Sequence, residues 1–125
     1  LSICCPTPSE ALARIALKHG LAILARNREI IARNRRIAAD FFARYDYVFR
    51  HNPPQAGPIA FHGLRPDFGP LSALAFCEHL AQSAGVLLLP GNVYDMDEPY
   101  VRMGYGRANF ADNLAVLDSW LQRNG

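Results

Sequence analysis

The chain has 125 residues, half of them hydrophobic, and a formal net charge of +2. A chain of this size suits one domain that buries roughly two-thirds of its unfolded surface, and so small a charge requires neither nucleic acid nor an anionic membrane as partner. No apolar run reaches the ~18 residues of a membrane span, and Leu1 is followed by neither the charged start nor the long apolar core of a signal peptide, so a piece trimmed from a cytoplasmic protein is expected.

Thr7-Pro8-Ser9-Glu10 reads as a capping box with proline at the first helical position, opening a helix that runs to His19. Gly20 ends or bends it. Lys18 is the only lysine in the sequence, and with no Ser/Thr-rich strand around it, it reads as a solvated cation near the helix end. Over residues 21–50, Ile23, Ile30, Ile37, Phe41 and Val48, with Leu24, Ile31, Phe42, Tyr45 and Phe49, recur at helical spacing and fill one broad arc, which predicts a long helix. About thirty residues at 1.5 Å each span about 45 Å, whereas a compact domain of this size is about 36 Å across. Either the helix bends, or part of its apolar stripe was made to cover a large domain or a second subunit.

Asn27 and Asn34 fall within the apolar arc, seven residues apart. Buried amides must find hydrogen-bond partners, so both are expected to fix register against a neighbouring element, with substrate binding as the alternative. The opposite face carries Arg28, Arg33, Arg35 and Arg36 with Glu29 and Asp40 interspersed. It reads as a solvated face, a nucleic-acid stripe being the alternative.

Asn52-Pro53-Pro54 stops the long helix. Residues 58–64 read as a strand, 67–85 contain a helix opened near Pro70 with Leu71 on it, and 86–89 form the continuously apolar run of a covered central strand. After a Pro-Gly turn, YVRMGYGR at 100–107 reads as another strand, and a closing helix from near Asn109 puts Leu114, Leu117, Trp120 and Leu121 on one face. The predicted class is α+β: a small, mostly antiparallel sheet of about three strands, covered by helices on one side, with one long helix in the N-terminal half. There are no repeats or serine-rich linkers, so residues 1–125 form a single domain.

Cys4, Cys5 and Cys77 lack a CxxC or Cys/His spacing and read as reduced packing residues, with no metal site. Among His19, His51, His62 and His79, only His62 falls on a predicted strand beside a candidate pocket, and a core or edge placement is its simpler reading. No glycine loop that would cradle a phosphate is present.

Arg102 is the candidate site residue. Strand alternation puts Val101, Met103 and Tyr105 on one face and Tyr100, Arg102 and Gly104 on the other, so Arg102 stands opposite the apolar face, with room beside it at Gly104. A guanidinium grips a carboxylate with two parallel hydrogen bonds. The structural alternative is an edge charge or an internal ion-pair partner.

GVLLLPG at 85–91, an acidic and aromatic connection, and then Val101-Arg102-Met103-Gly104 resemble the C-terminal segment of class I/II, fold-type I aminotransferases that depend on pyridoxal phosphate (PLP). SICCPTPSE at the start, GPIAFHGL at 57–64 and the closing helix from Ala108 extend the resemblance over nearly the whole chain. Tyr94-Asp95 departs from the family's common aromatic-glycine pair, and residues 55–58 from its common double glycine. The resemblance implies the small C-terminal domain of such an enzyme, with the cofactor-binding large domain and the Schiff-base lysine outside this chain. It implies that Arg102 binds the α-carboxylate of an amino-acid or 2-oxo-acid substrate, and that Pro90 and Gly91 shape the pocket mouth. It further implies that the long helix links the two domains, that residues 2–7 approach a neighbouring subunit of a homodimer, and that the isolated chain neither holds PLP tightly nor turns over. Two other readings stay open: a free-standing interaction module that pairs through the long helix, and a small nucleic-acid-binding domain that uses its arginines.

Overall fold

The computed structural model describes residues 5–68, 72–96 and 99–124. Pro70, Leu71, Cys4 and the first part of the 2–7 segment lie outside the described residues. Helix α1, Thr7–Lys18, starts earlier than a Thr7 cap would place it: Thr7 is already helical, and the Pro6 carbonyl accepts from the backbone of Ser9 at 2.9 Å and of Glu10 at 3.2 Å. The bend falls at His19, and helix α2, Gly20–Arg44, follows at once. Its 25 residues span about 37 Å.

Helix α2 ends earlier than predicted, at Arg44 with Tyr45 as its cap, rather than at about Arg50. The helical spacing of Tyr45, Val48 and Phe49 persists beyond it, but Val48 and Phe49 both donate to the Tyr45 carbonyl, closing a turn. Phe49–Arg50 then forms a two-residue strand, β1. Phe49 gains a cross-strand partner while keeping its ring in the core, so tertiary pairing overrides the local pattern.

Strand β2, Ile59–Leu64, leads through a 3-10 turn at Pro66–Phe68 to helix α3, Ala73–Ala84, which is capped by the Ser72 hydroxyl at Ala75 N and closed by Gly85 at φ +67°. Strand β3, Leu89–Pro90, a 3-10 turn at Gly91–Tyr94, strand β4, Tyr100–Gly104, and helix α4, Phe110–Asn124, complete the chain. The sheet is antiparallel in the order β1-β2-β4-β3, four strands rather than about three because of the short β1. The apolar 86–89 run, expected as a covered central strand, contributes only Leu89 to an edge strand, and Leu87 is exposed. An apolar run alone does not say which neighbour a strand will pair with; β4 takes the central place because it pairs with both β2 and β3.

Helices α2, α3 and α4 cover one face of the sheet. Phe49, Ala60, His62, Leu64, Val101 and Met103 project into that side, where Phe42 packs edge-on to Phe49, Phe49 to Phe76 and Phe76 to Trp120. Leu114, Leu117, Trp120 and Leu121 are buried as their spacing predicted. Each fully buried aromatic or aliphatic side chain contributes about 1.5–3 kcal/mol.

Helix α1 buries none of its residues, and residues 21–29 of α2 are exposed as well. Leu12, Ile15, Leu17, Leu21, Ile23 and Leu24 all face solvent, Leu21 at 87% exposure. The helix therefore outruns its core, as expected, but it does so by its exposed first part, since its length is close to the width of the domain. Asn27 lies on this uncovered stretch and is exposed, whereas Asn34 is fully buried and donates to the carbonyls of Tyr105 and Arg107, both at 2.8 Å. One asparagine of the pair fixes register against a neighbour, as expected, and the other has no covering element among the described residues.

Phe42→Ala is expected to lower the unfolding free energy by about 3–5 kcal/mol in a urea titration followed by circular dichroism. Leu12→Ser and Leu21→Ser, whose side chains touch no core, are expected to change it by less than about 0.5 kcal/mol.

Candidate functional site

No helix among the described residues covers the second face of the sheet. It presents Arg50, Ile59, Phe61, Leu89, Tyr100, Arg102 and Gly104, the residues out of phase with the buried set. Arg102 sits at its centre, since Phe61 on β2 and Leu89 on β3 are its direct cross-strand partners. The alternation inferred for β4 holds: Val101, Met103 and, just beyond the strand, Tyr105 are buried, and Arg102 is half-buried on the opposite face. A Cβ added at Gly104 would meet nothing nearer than the Pro58 carbonyl at 4.0 Å, so the space beside the arginine is open.

The arginine is held from one side only. Its Nη1 donates to the Tyr94 hydroxyl at 2.7 Å, and its Cζ lies 5.5 Å from the centre of the Tyr94 ring. Among the described residues it makes no ion pair, and its Nε and Nη2 donate no further hydrogen bond. The structural alternative of an internal ion pair is thus not what these residues form. A cleft of about 550 Å³ borders Arg102, walled by Ile59, Leu87, Leu88, Phe110 and Leu117.

From sequence Tyr94 stood out only as part of a departure from the family's aromatic-glycine pair, and not as a site residue. The available signal was a phenol eight residues before the arginine, at the end of a tight turn between two strands that pair with each other. That turn depends on Gly91, which is buried against β4: a Cβ there would lie 3.1 Å from the Tyr100 Cβ and 3.2 Å from its carbonyl oxygen. It closes at Asp95, whose φ of +55° lies in the left-handed region. Aspartate tolerates that conformation better than most side chains, so Asp95 keeps the backbone path that a glycine would allow. A second pair of the same kind stands on this face, where Arg50 Nη2 donates to the Tyr100 hydroxyl at 2.6 Å and its Cζ lies 5.4 Å from that ring's centre.

Residues 2–117 match the family described as aminotransferase class I and II. The chain belongs to that family. Among solved structures, a PLP-dependent aminotransferase from Streptococcus suis is similar to it with a TM-score of 0.81 and 29% identity, over 98% of this chain and 32% of that one. The PLP-dependent cyclase OrfR, at TM-score 0.81 and 21% identity over 93% of this chain and 32% of its own, shares the fold. So does the tyrosine aminotransferase of Leishmania infantum, at TM-score 0.75 and 22% identity over 92% of this chain and 29% of its own. The chain spans about a third of the length of these structures. No curated protein sequence matches it.

The described residues of this aminotransferase-family chain do not fit PLP by themselves. Lys18 lies exposed in the last turn of α1, a helix with no buried residue, so no wall encloses a ring there. No chemical step through the cofactor is therefore assigned to these residues. Cys77 and His79 are structural: burial pushes the Cys77 thiol up to about 11, which keeps it protonated, and His79 packs edge-on to Trp120, whereas Cys5, expected to be a packing residue, is exposed before the first helix.

His62 is buried in the core rather than lining the cleft. Its Nδ1 accepts from the Asn52 backbone at 3.1 Å, which leaves the proton on Nε2, 2.8 Å from the Tyr105 hydroxyl. Phe42 covers one side with ring centres 4.1 Å apart, and His51 stacks at 5.1 Å. Desolvation first, then the neighbouring His51, lowers its pKa to about 3. Desolvation and then Arg35 lower that of His51 as well. Burial pushes the Tyr105 phenol up to about 12.

Both histidines are thus held neutral in the fold, while the unfolded chain takes up protons near the ordinary value of 6.5. For His62 the resulting stability is present above pH 6.5 and is lost as pH falls from 6.5 towards 3, by up to ~1.4 kcal/mol per pH unit; His51 acts in the same direction. Urea unfolding midpoints measured from pH 7 to pH 4 are expected to fall accordingly, and His62→Gln is expected to flatten the slope whatever its effect at pH 7.

Proposed function

We propose that this chain is the small C-terminal domain of a PLP-dependent aminotransferase, and that Arg102 grips the α-carboxylate of the amino acid or 2-oxo acid between which the amino group moves. The supporting observation is the Nε–Nη2 edge of Arg102, without a partner among the described residues, on the sheet face that no helix covers and beside the cleft. A planar guanidinium edge matches the two oxygens of a carboxylate and fixes the direction of the bond to Cα. Holding that bond in one orientation is what the arginine supplies to the reaction.

The cofactor, its lysine and the walls that exclude water belong in this reading to protein outside the chain, consistent with a chain that spans a third of its structural relatives. The apolar stripe from Leu12 to Leu24 is the surface that the large domain or the second subunit of a homodimer would cover. That same stripe also favours a second reading, an interaction module that pairs through α1 and α2 and makes no use of Arg102. No helix among the described residues is long and apolar enough to cross a membrane.

The two readings separate on one variant. In the full-length enzyme, Arg102→Ala is expected to raise KM for the amino acid and for the 2-oxo acid by about two to three orders of magnitude, without lowering the thermal unfolding midpoint. An unchanged KM would refute the carboxylate grip and leave the interaction module. Mixed with PLP, the isolated chain is expected to develop no stable aldimine absorbance band; a persistent band would place the cofactor lysine within this chain.

A further inference from the structure

We propose that Tyr94 is a positioning residue for the carboxylate grip, holding Nη1 of Arg102 so that the Nε–Nη2 edge is the one presented to the substrate. The inference rests on the reading of Arg102 given above and names the side chain that sets its orientation. An arginine has many rotamers, and on an uncovered sheet face nothing obliges it to aim one edge outward. Here two contacts to the same ring do so: the 2.7 Å hydrogen bond from Nη1 to the hydroxyl, and the position of Cζ 5.5 Å from the ring centre.

The ring is itself held. Phe61, the β2 residue directly opposite Arg102, packs edge-to-face on Tyr94, with centres 5.2 Å apart and planes at 78°. The backbone beneath it is a closed turn in which Asp95 N bonds the Asn92 carbonyl and Met96 N the Gly91 carbonyl, each at 3.3 Å. Phe61, Tyr94 and Arg102 therefore form a stack supported by two adjacent central strands and the turn between β3 and β4.

The hydroxyl gives the device its direction. Its oxygen accepts one of the two Nη1 hydrogens, so Nε–Nη2 is the edge on which both nitrogens stay unengaged, and a carboxylate seeking two parallel donors meets it without competing with the phenol. A phenylalanine at this position would keep the ring and its contact with Phe61 but offer no acceptor. Orienting the guanidinium before the substrate arrives removes an ordering cost from binding. It acts on the α-carboxylate common to all substrates, and so alters affinity without choosing among side chains.

The test is steady-state kinetics on the full-length holoenzyme with Tyr94→Phe and Arg102→Ala in parallel, using several amino acids that differ in side chain. Tyr94→Phe is expected to raise KM about 3- to 10-fold with kcat within about twofold, the pattern of lost uniform binding, and by the same factor for every substrate. An unchanged or lower KM in Tyr94→Phe, while Arg102→Ala remains strongly impaired, overturns the role of Tyr94 and leaves the arginine grip standing. A rise that varies with the substrate's side chain overturns it too, because Tyr94 would then be reading that side chain. A silent Arg102→Ala overturns both.

Discussion

The two-residue period of a central strand with one sealed face governs this molecule. Val101, Met103 and Tyr105 are driven into the core by the helices above them, and because successive side chains point to opposite faces, Arg102 has no choice but the other side. A slip of one residue would bury a guanidinium among Phe49, Phe76 and Leu121, a cost no native pairing there could offset. Hydrophobic burial on one face thus sets the position of a charge on the other, and the β2 and β3 partners Phe61 and Leu89 hold it at mid-sheet.

Polar groups inside the core reinforce that register instead of serving chemistry. Asn34 donates to the carbonyls of Tyr105 and Arg107 where the chain leaves β4, and His62 sits between the Asn52 backbone and the Tyr105 hydroxyl. These bonds tie α2, β2 and the end of β4 to one arrangement. They also explain why a histidine on a strand was a poor guide to the site: its neighbours, the stacked His51 ring and Phe42, desolvate it and keep it neutral. Titratable groups of this kind shape stability against pH, while the candidate site depends on a guanidinium on the opposite face of the sheet.

Two surfaces among the described residues stand uncovered. One is the sheet face with its two arginine–tyrosine pairs, and the other is the apolar side of α1 and the first half of α2. An exposed row of leucines and isoleucines is costly to leave in water, and a charged grip on an open sheet has full effect only when solvent is excluded from around it. The chain belongs to the aminotransferase class I and II family and spans about a third of the related structures, and under the proposal made above both surfaces are ones that protein outside this chain would cover.

Local pattern was enough for the helices, for the alternation on β4 and for the arginine itself, because each depends on side chains spaced along one segment. The expectation that the long helix outruns its core also held, although through the exposed residues at its start and not through the length predicted for it. Pairing decided the rest. Phe49 left the helical register for a strand, and the apolar 86–89 run became an edge. Asn27 and Asn34 parted company because only one of them met a neighbour. Tyr94 came to lie against Arg102 because a turn closed through Asp95 folds one back on the other. Contacts between segments distant or reversed in the chain carry no periodic signature, so they exist only once the strands have chosen their partners.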